Sequence, residues 1–165
     1  MAESTHHAQM AGNSSYLHPG HYLPHTAPML LLEQICDIGT DHARCRVTLS
    51  DTGVLGPFLT PDGQLPGWYA MEMMAQTVGV WSGWHGRRRG ESPHVGLLLG
   101  ARALHCVHPS FNAGSVLDIS ISLLLQDERI GSFDCVIQQN EEILATGRLT
   151  TYQPDENEII QVLKD

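Results

Sequence analysis

The stretch from Leu65 to Gly86 constrains this chain more than any other. It holds no proline after Pro66, and its alanines and methionines favour helix. Pro66 suits a first helical turn, where a missing N–H costs nothing, and Gly86 suits the position just past the end. At a rise of roughly 1.5 Å per residue the predicted helix is about 30 Å long. Its side chains then limit the fold. Trp68, Tyr69, Met71, Met73, Met74, Ala75, Val78, Val80, Trp81 and Trp84 leave no face wholly polar. Such a helix is either enclosed by protein or crosses a membrane. Glu72, Gln76 and four glycines within it favour enclosure. An ionised carboxyl on an enclosed helix costs several kcal/mol unless it is paired. Glu72 therefore has either a function or a neighbour that ties it down as a fold-specifying contact.

The flanking sequence predicts what encloses the helix. Ala43 to Ser50 alternates, with Cys45, Val47 and Leu49 on one face. Ser115 to Gln126 does the same through Leu117, Ile119, Ile121 and Leu123. Further strands are expected at Met29 to Leu32, Val95 to Val107, Ile130 to Gln138 and Ile143 to Tyr152, with Ser115 to Gln126 and the two that follow it forming a meander across short turns. Two strands, one helix apolar all round and four more strands have one economical arrangement. The fold class is α+β, a hotdog fold, with a curled antiparallel sheet wrapped around one long buried helix and the last apolar face covered by a second copy. The domain is expected over residues 16–154, between a polar leader at 1–15 and a tail at 155–165 that is at most a short helix. A chain of 165 residues with a formal charge of −9 argues against nucleic acid as a partner, and no run is long and apolar enough for a membrane span. The first twenty residues do not read as a signal peptide, and four scattered cysteines without a CxxC pair read as reduced, so the expected location is cytoplasmic. The histidines near the start are irregularly spaced and lack a carboxylate or cysteine among them, so no metal site is expected.

Particular residues carry a family resemblance. Leu23-Pro24-His25 followed by Pro28-Met29-Leu30-Leu31-Leu32-Glu33 resembles the opening of bacterial β-hydroxyacyl-acyl-carrier-protein dehydratases. Pro66-Gly67 with Met71-Glu72-Met73-Met74-Ala75-Gln76 resembles their central-helix motif, and the similarity covers about residues 20–153. Asp62-Gly63-Gln64-Leu65-Pro66, Leu97-Leu98-Leu99-Gly100 and Thr151-Tyr152-Gln153-Pro154 resemble the divergent dehydratases of aryl-polyene biosynthesis clusters. One departure stands out. The loop Phe58 to Gln64 holds no histidine, whereas the general dehydratases place a catalytic one there.

The resemblance implies removal of water from a 3-hydroxyacyl thioester without a cofactor. That chemistry needs a base, an acid and donors for the thioester oxygen. Glu72 fits the acid, its pKa expected to rise with burial. His25 is the candidate base, set in a proline-stiffened segment, although local packing would equally explain it. The Gly67 amide at the helix start fits the oxyanion donor. Gln76, one turn after Glu72, could orient its carboxyl. Asp62 reads first as a turn residue. Trp68, Tyr69, Trp81 and Trp84 are either core or the wall of an acyl tunnel, and Gly79 and Gly83 make room for an acyl chain or for a partner helix. Arg87, Arg88 and Arg89 form the one dense basic cluster, suited either to an acidic acyl carrier protein or to the helix dipole. Three functions remain open: a 3-hydroxyacyl-acyl-carrier-protein dehydratase working as a homodimer, a non-catalytic subunit supporting a second hotdog dehydratase in a heterodimer, and an acyl thioesterase.

Overall fold

In the computed structural model, residues 16–25, 28–91 and 96–154 are described, together with 158, 161 and 164. The expected leader and most of the expected tail lie outside them. Alternating sequence becomes sheet. The strands are β1 (Gln34–Ile38), β2 (His42–Thr48), β3 (Leu65–Pro66), β4 (Leu97–Cys106), β5 (Ser110–Phe111), β6 (Val116–Asp127), β7 (Ile130–Gln139) and β8 (Glu142–Tyr152), and helix α1 is Tyr69–Arg88. Six strands pair antiparallel in the order β1-β2-β6-β7-β8-β4, and β3 and β5 form a separate pair. Register places Cys45, Ile119, Ile137 and Ala145 in one row across four strands, each 0–1% exposed, facing Met73, Met74 and Val80 of the helix at 0%. The outer face carries charged pairs. Arg46 and Asp118 are register partners joined at 2.7 Å, and so are Arg148 and Asp134 at 3.0 Å. This is the hotdog arrangement, a curled sheet around a central helix.

Three expectations are corrected. The helix begins at Tyr69, past Pro66, because Leu65 and Pro66 pair with Phe111 and Ser110. It also runs on past Gly86. Gly90 takes φ +79° there; its N–H bonds to the Arg87 carbonyl and that of Glu91 to the Gly86 carbonyl, the paired bonds of a Schellman ending. Met29 to Leu32 forms no strand. It crosses the helix as coil, buried from Leu30 to Leu32, with the Leu31 N–H and the Met29 carbonyl bonded to the side chain of Gln76. The third correction concerns burial. Trp68 is 74% exposed, and Glu72 is only half-buried.

All four cysteines are free thiols. Burial pushes Cys45 and Cys135 up to about 12, which suits inert core residues. No described helix is long and apolar enough to cross a membrane.

Candidate active site

Positions 72, 75, 79, 82 and 86 of α1 recur every three or four residues and so share one face. The sheet leaves this face partly open. It forms one wall of a cavity of about 260 Å³. The other walls come from the Tyr22–His25 segment, the β6–β7 turn, and β7 and β8 near Phe133 and Gln153.

The Tyr22–His25 segment lies against the helix because two side chains are missing there. A Cβ on Gly83 would sit 2.0 Å from the Tyr22 carbonyl oxygen, and one on Gly79 would sit 2.6 Å from Leu23 Cδ2. The glycines thus seat the chain's own N-terminal segment, which neither sequence reading foresaw. Two residues further on, His25 Nε2 lies 3.6 Å from Glu72 Oε1. The Nδ1 atom of His25 is the one buried side-chain polar atom among the described residues with no hydrogen-bond partner.

Gln76 fixes the carboxyl. It is fully buried, with Oε1 accepting from the Leu31 N–H at 2.8 Å. Its Nε2 donates to the Met29 carbonyl at 2.7 Å and to Glu72 Oε1 at 3.1 Å. The amide therefore has one orientation, and both donor hydrogens are used. The Glu72 side chain is 43% exposed and that of His25 33%, so both face the cavity more openly than an enclosed helix led the sequence to suggest.

Other expected site residues fall elsewhere. The Gly67 N–H donates to the Pro109 carbonyl at 2.8 Å, so it is already committed and does not serve as oxyanion donor in this arrangement. The lack of a side chain there admits Pro109, whose oxygen would be 2.9 Å from a Cβ. Trp68 lies outside the cavity wall; Trp81 lines it, packed on Phe133 at 5.5 Å and donating to the Gly39 carbonyl at 3.2 Å. Asp62 is exposed in a turn closed by the Gly63 N–H on the Thr60 carbonyl. Arg87, Arg88 and Arg89 are exposed at the helix end, with Arg87 over Tyr22 at 5.9 Å, Arg88 over Trp84 at 4.7 Å and Arg89 paired with Glu91 at 3.3 Å. Sequence reasoning missed Ser82 and Gln153, which meet across the cavity at 3.5 Å. Ser82 had a usable signal, a hydroxyl on the same helical face as Glu72.

Comparisons with known proteins agree with this fold. The family model described as ApeP dehydratase matches residues 17–164. The chain is 54% identical to a chain of the dehydratase heterocomplex ApeI:P from Xenorhabdus doucetiae, with a TM-score of 0.85, covering 91% of this chain and 99% of that one. The TT0310 protein from Thermus thermophilus is 11% identical at a TM-score of 0.56, over 73% of this chain and 91% of that one. A hypothetical thioesterase with coenzyme A from Streptococcus pneumoniae is 16% identical at 0.57, over 73% and 84%. At that identity these two share the fold alone. None of the curated proteins matches significantly.

Proposed function

The chain belongs to the ApeP-like dehydratase family, as a hotdog dehydratase of the aryl-polyene type, and we propose from that premise that Glu72 and His25 carry out its dehydration of a 3-hydroxyacyl thioester. The carrying observation is their approach to 3.6 Å at the wall of a cavity, with His25 Nδ1 buried and unpartnered. His25 removes the proton from the carbon beside the thioester carbonyl. The released electron pair becomes the new double bond, and the hydroxyl departs as water with a proton from Glu72. One group ends protonated and the other ionised, and transfer across the short gap resets both. Gln76 orients the acid by donating to Glu72 Oε1. An acyl carrier protein is the proposed source of the thioester, its acidic surface met by Arg87, Arg88 and Arg89. Replacing Glu72 by Gln, or His25 by Asn, should lower turnover about 10²- to 10⁴-fold, followed as enoyl thioester by mass spectrometry. Wild-type rates in Glu72→Gln would overturn the assignment, and free acid as the product would indicate a thioesterase.

A second reading is favoured by the loop Phe58 to Gln64, which lacks a histidine, and by the committed Gly67 amide. The relative from Xenorhabdus doucetiae is part of a heterocomplex of dehydratases. In this reading the chain pairs with a second hotdog subunit that supplies the thioester-oxygen donors. Turnover that appears only with that subunit, and survives Glu72→Gln, would mark a supporting role.

A further inference from the structure

Strand β4 ends the strand order on one side, and among the described residues β8 is its one neighbour. Nine of its ten residues are exposed, Leu97, Leu98, Leu99 and Leu104 among them. A bare edge of this kind pairs with whatever strand arrives unless charge, bulges or shortness guard it. β4 is long, and its leucine stretch carries no charge. Its register on β8 shifts between Leu98 and Gly100 and again between Arg102 and His105, where Ala103 takes φ +50°. Gly96, Leu97 and Leu98 also line the cavity that holds Glu72 and His25, so a strand laid on this edge would border the site. Arg102 supplies the edge with its charge. It is the register partner of Arg148 on the outer face, and Arg148 is bonded to Asp134 at 3.0 Å. The row across β7, β8 and β4 therefore reads carboxylate, guanidinium, guanidinium. Arg102 makes no hydrogen bond or ion pair with the described residues. The next place in the row belongs to the strand that pairs with β4.

We propose that Arg102 makes this edge selective for a different hotdog subunit, one whose edge strand sets an Asp or Glu across from it, over a second copy of this chain. This rests on the reading in which the chain pairs with such a subunit. A second copy cannot supply the carboxylate. Residues 92–117 contain neither Asp nor Glu, so no register of β4 on its own copy puts an acid opposite Arg102. Each copy also brings a further formal charge of −9, which opposes self-association. The leucines offer apolar area to either occupant, so they do not choose between them. The charge does. An opposite charge on the adjacent strand favours pairing, and its absence leaves Arg102 beside Arg148 without compensation. Selectivity thus has both an attractive and a repulsive part.

The test titrates the full-length chain against itself, by sedimentation equilibrium, and against the companion subunit of the Xenorhabdus doucetiae heterocomplex as the probe. The wild type should bind the companion more tightly than itself. Arg102→Leu should weaken the companion about fivefold and tighten self-association by a similar factor, the size of one cross-strand charge pair. Arg102→Lys should keep the preference. Arg102→Glu should weaken the companion further than Arg102→Leu does, because it sets two carboxylates against each other. The wild-type preference should shrink at about 0.5 M salt, whereas that of Arg102→Leu should not. Arg102 is exposed and has no partner among the described residues, so these variants keep the fold. Tight binding of the companion with no dependence on residue 102 would overturn the selectivity and leave the pairing standing. Failure of the companion to bind at all would overturn both. A preference that follows the charge at position 102, with full turnover by the chain alone, would uphold the proposal and count against the supporting role only.

Discussion

Replacing Gln76 by Leu tests the structure at the point where fold and chemistry share a side chain. The leucine has similar volume but offers no hydrogen bond. The Leu31 N–H, on a residue only 2% exposed, loses its acceptor, and stranding such a donor costs about 1–3 kcal/mol. The Met29 carbonyl loses its donor too, but Met29 is 56% exposed and water recovers part of that loss, leaving roughly 0.5–1 kcal/mol. The expected total is therefore about 1.5–4 kcal/mol. With a urea slope of about 2 kcal/mol/M for a small domain, the unfolding midpoint should fall by roughly 0.8–2 M at unchanged slope. Glu72→Gln is the control. Its amide oxygen still accepts from Gln76 Nε2, so its stability should stay within about 0.5 kcal/mol of the parent. A midpoint for Gln76→Leu within about 0.3 M of the parent would refute the reasoning, because it would mean the coil at 29–31 does not depend on that amide.

Two further outcomes follow from the same coordinates. Gly83→Ala places a methyl 2.0 Å from a backbone oxygen, so it should destabilise by about 1–3 kcal/mol in urea despite a helix-propensity gain of up to about 1 kcal/mol; a stabilised variant would remove the packing of Tyr22 on the helix. His42 bonds to Asp41 and Asp37 at 3.2 and 2.9 Å, and these carboxylates, Asp41 first, raise its pKa above the ordinary value of 6.5. A raised folded-state pKa means the contribution is complete below pH 6.5 and fades as pH climbs through the folded value. The side chain is half-exposed, so the effect should stay under about 1 kcal/mol. His42→Asn should narrow the midpoint difference between pH 6 and pH 9, and an equal difference in both proteins would contradict this.

Much of the architecture was legible because burial and period coincide. Leu117, Ile119 and Ile121 alternate as a strand with one buried face must, and β6 lies where that alternation puts it. The methionine-rich helix was equally plain. The misreadings share one cause, a partner far away in sequence. Pro66 and Gly67 look like a helix start until Ser110 and Pro109 come alongside. Leu30 to Leu32 looks like a strand because sequence cannot show that a glutamine 45 positions away serves its backbone. Glu72 was expected to be enclosed because apolar residues surround it in sequence, yet it sits on the helical stripe that the sheet leaves partly open. Composition alone does not say which stripe that is. His25 and Glu72 were named separately, and only the fold brings them to 3.6 Å.

The two bare positions on the helix have a consequence for how such a site can change over time. The imidazole rides on a short tether whose seat is Gly79 and Gly83, two and three turns from the carboxyl it faces. Any side chain acquired there would lift the tether and widen the gap while leaving both members of the proposed catalytic pair untouched. Activity in this scaffold can thus be tuned, or switched off in one member of a pair, by a methyl group at a place no reaction diagram would include.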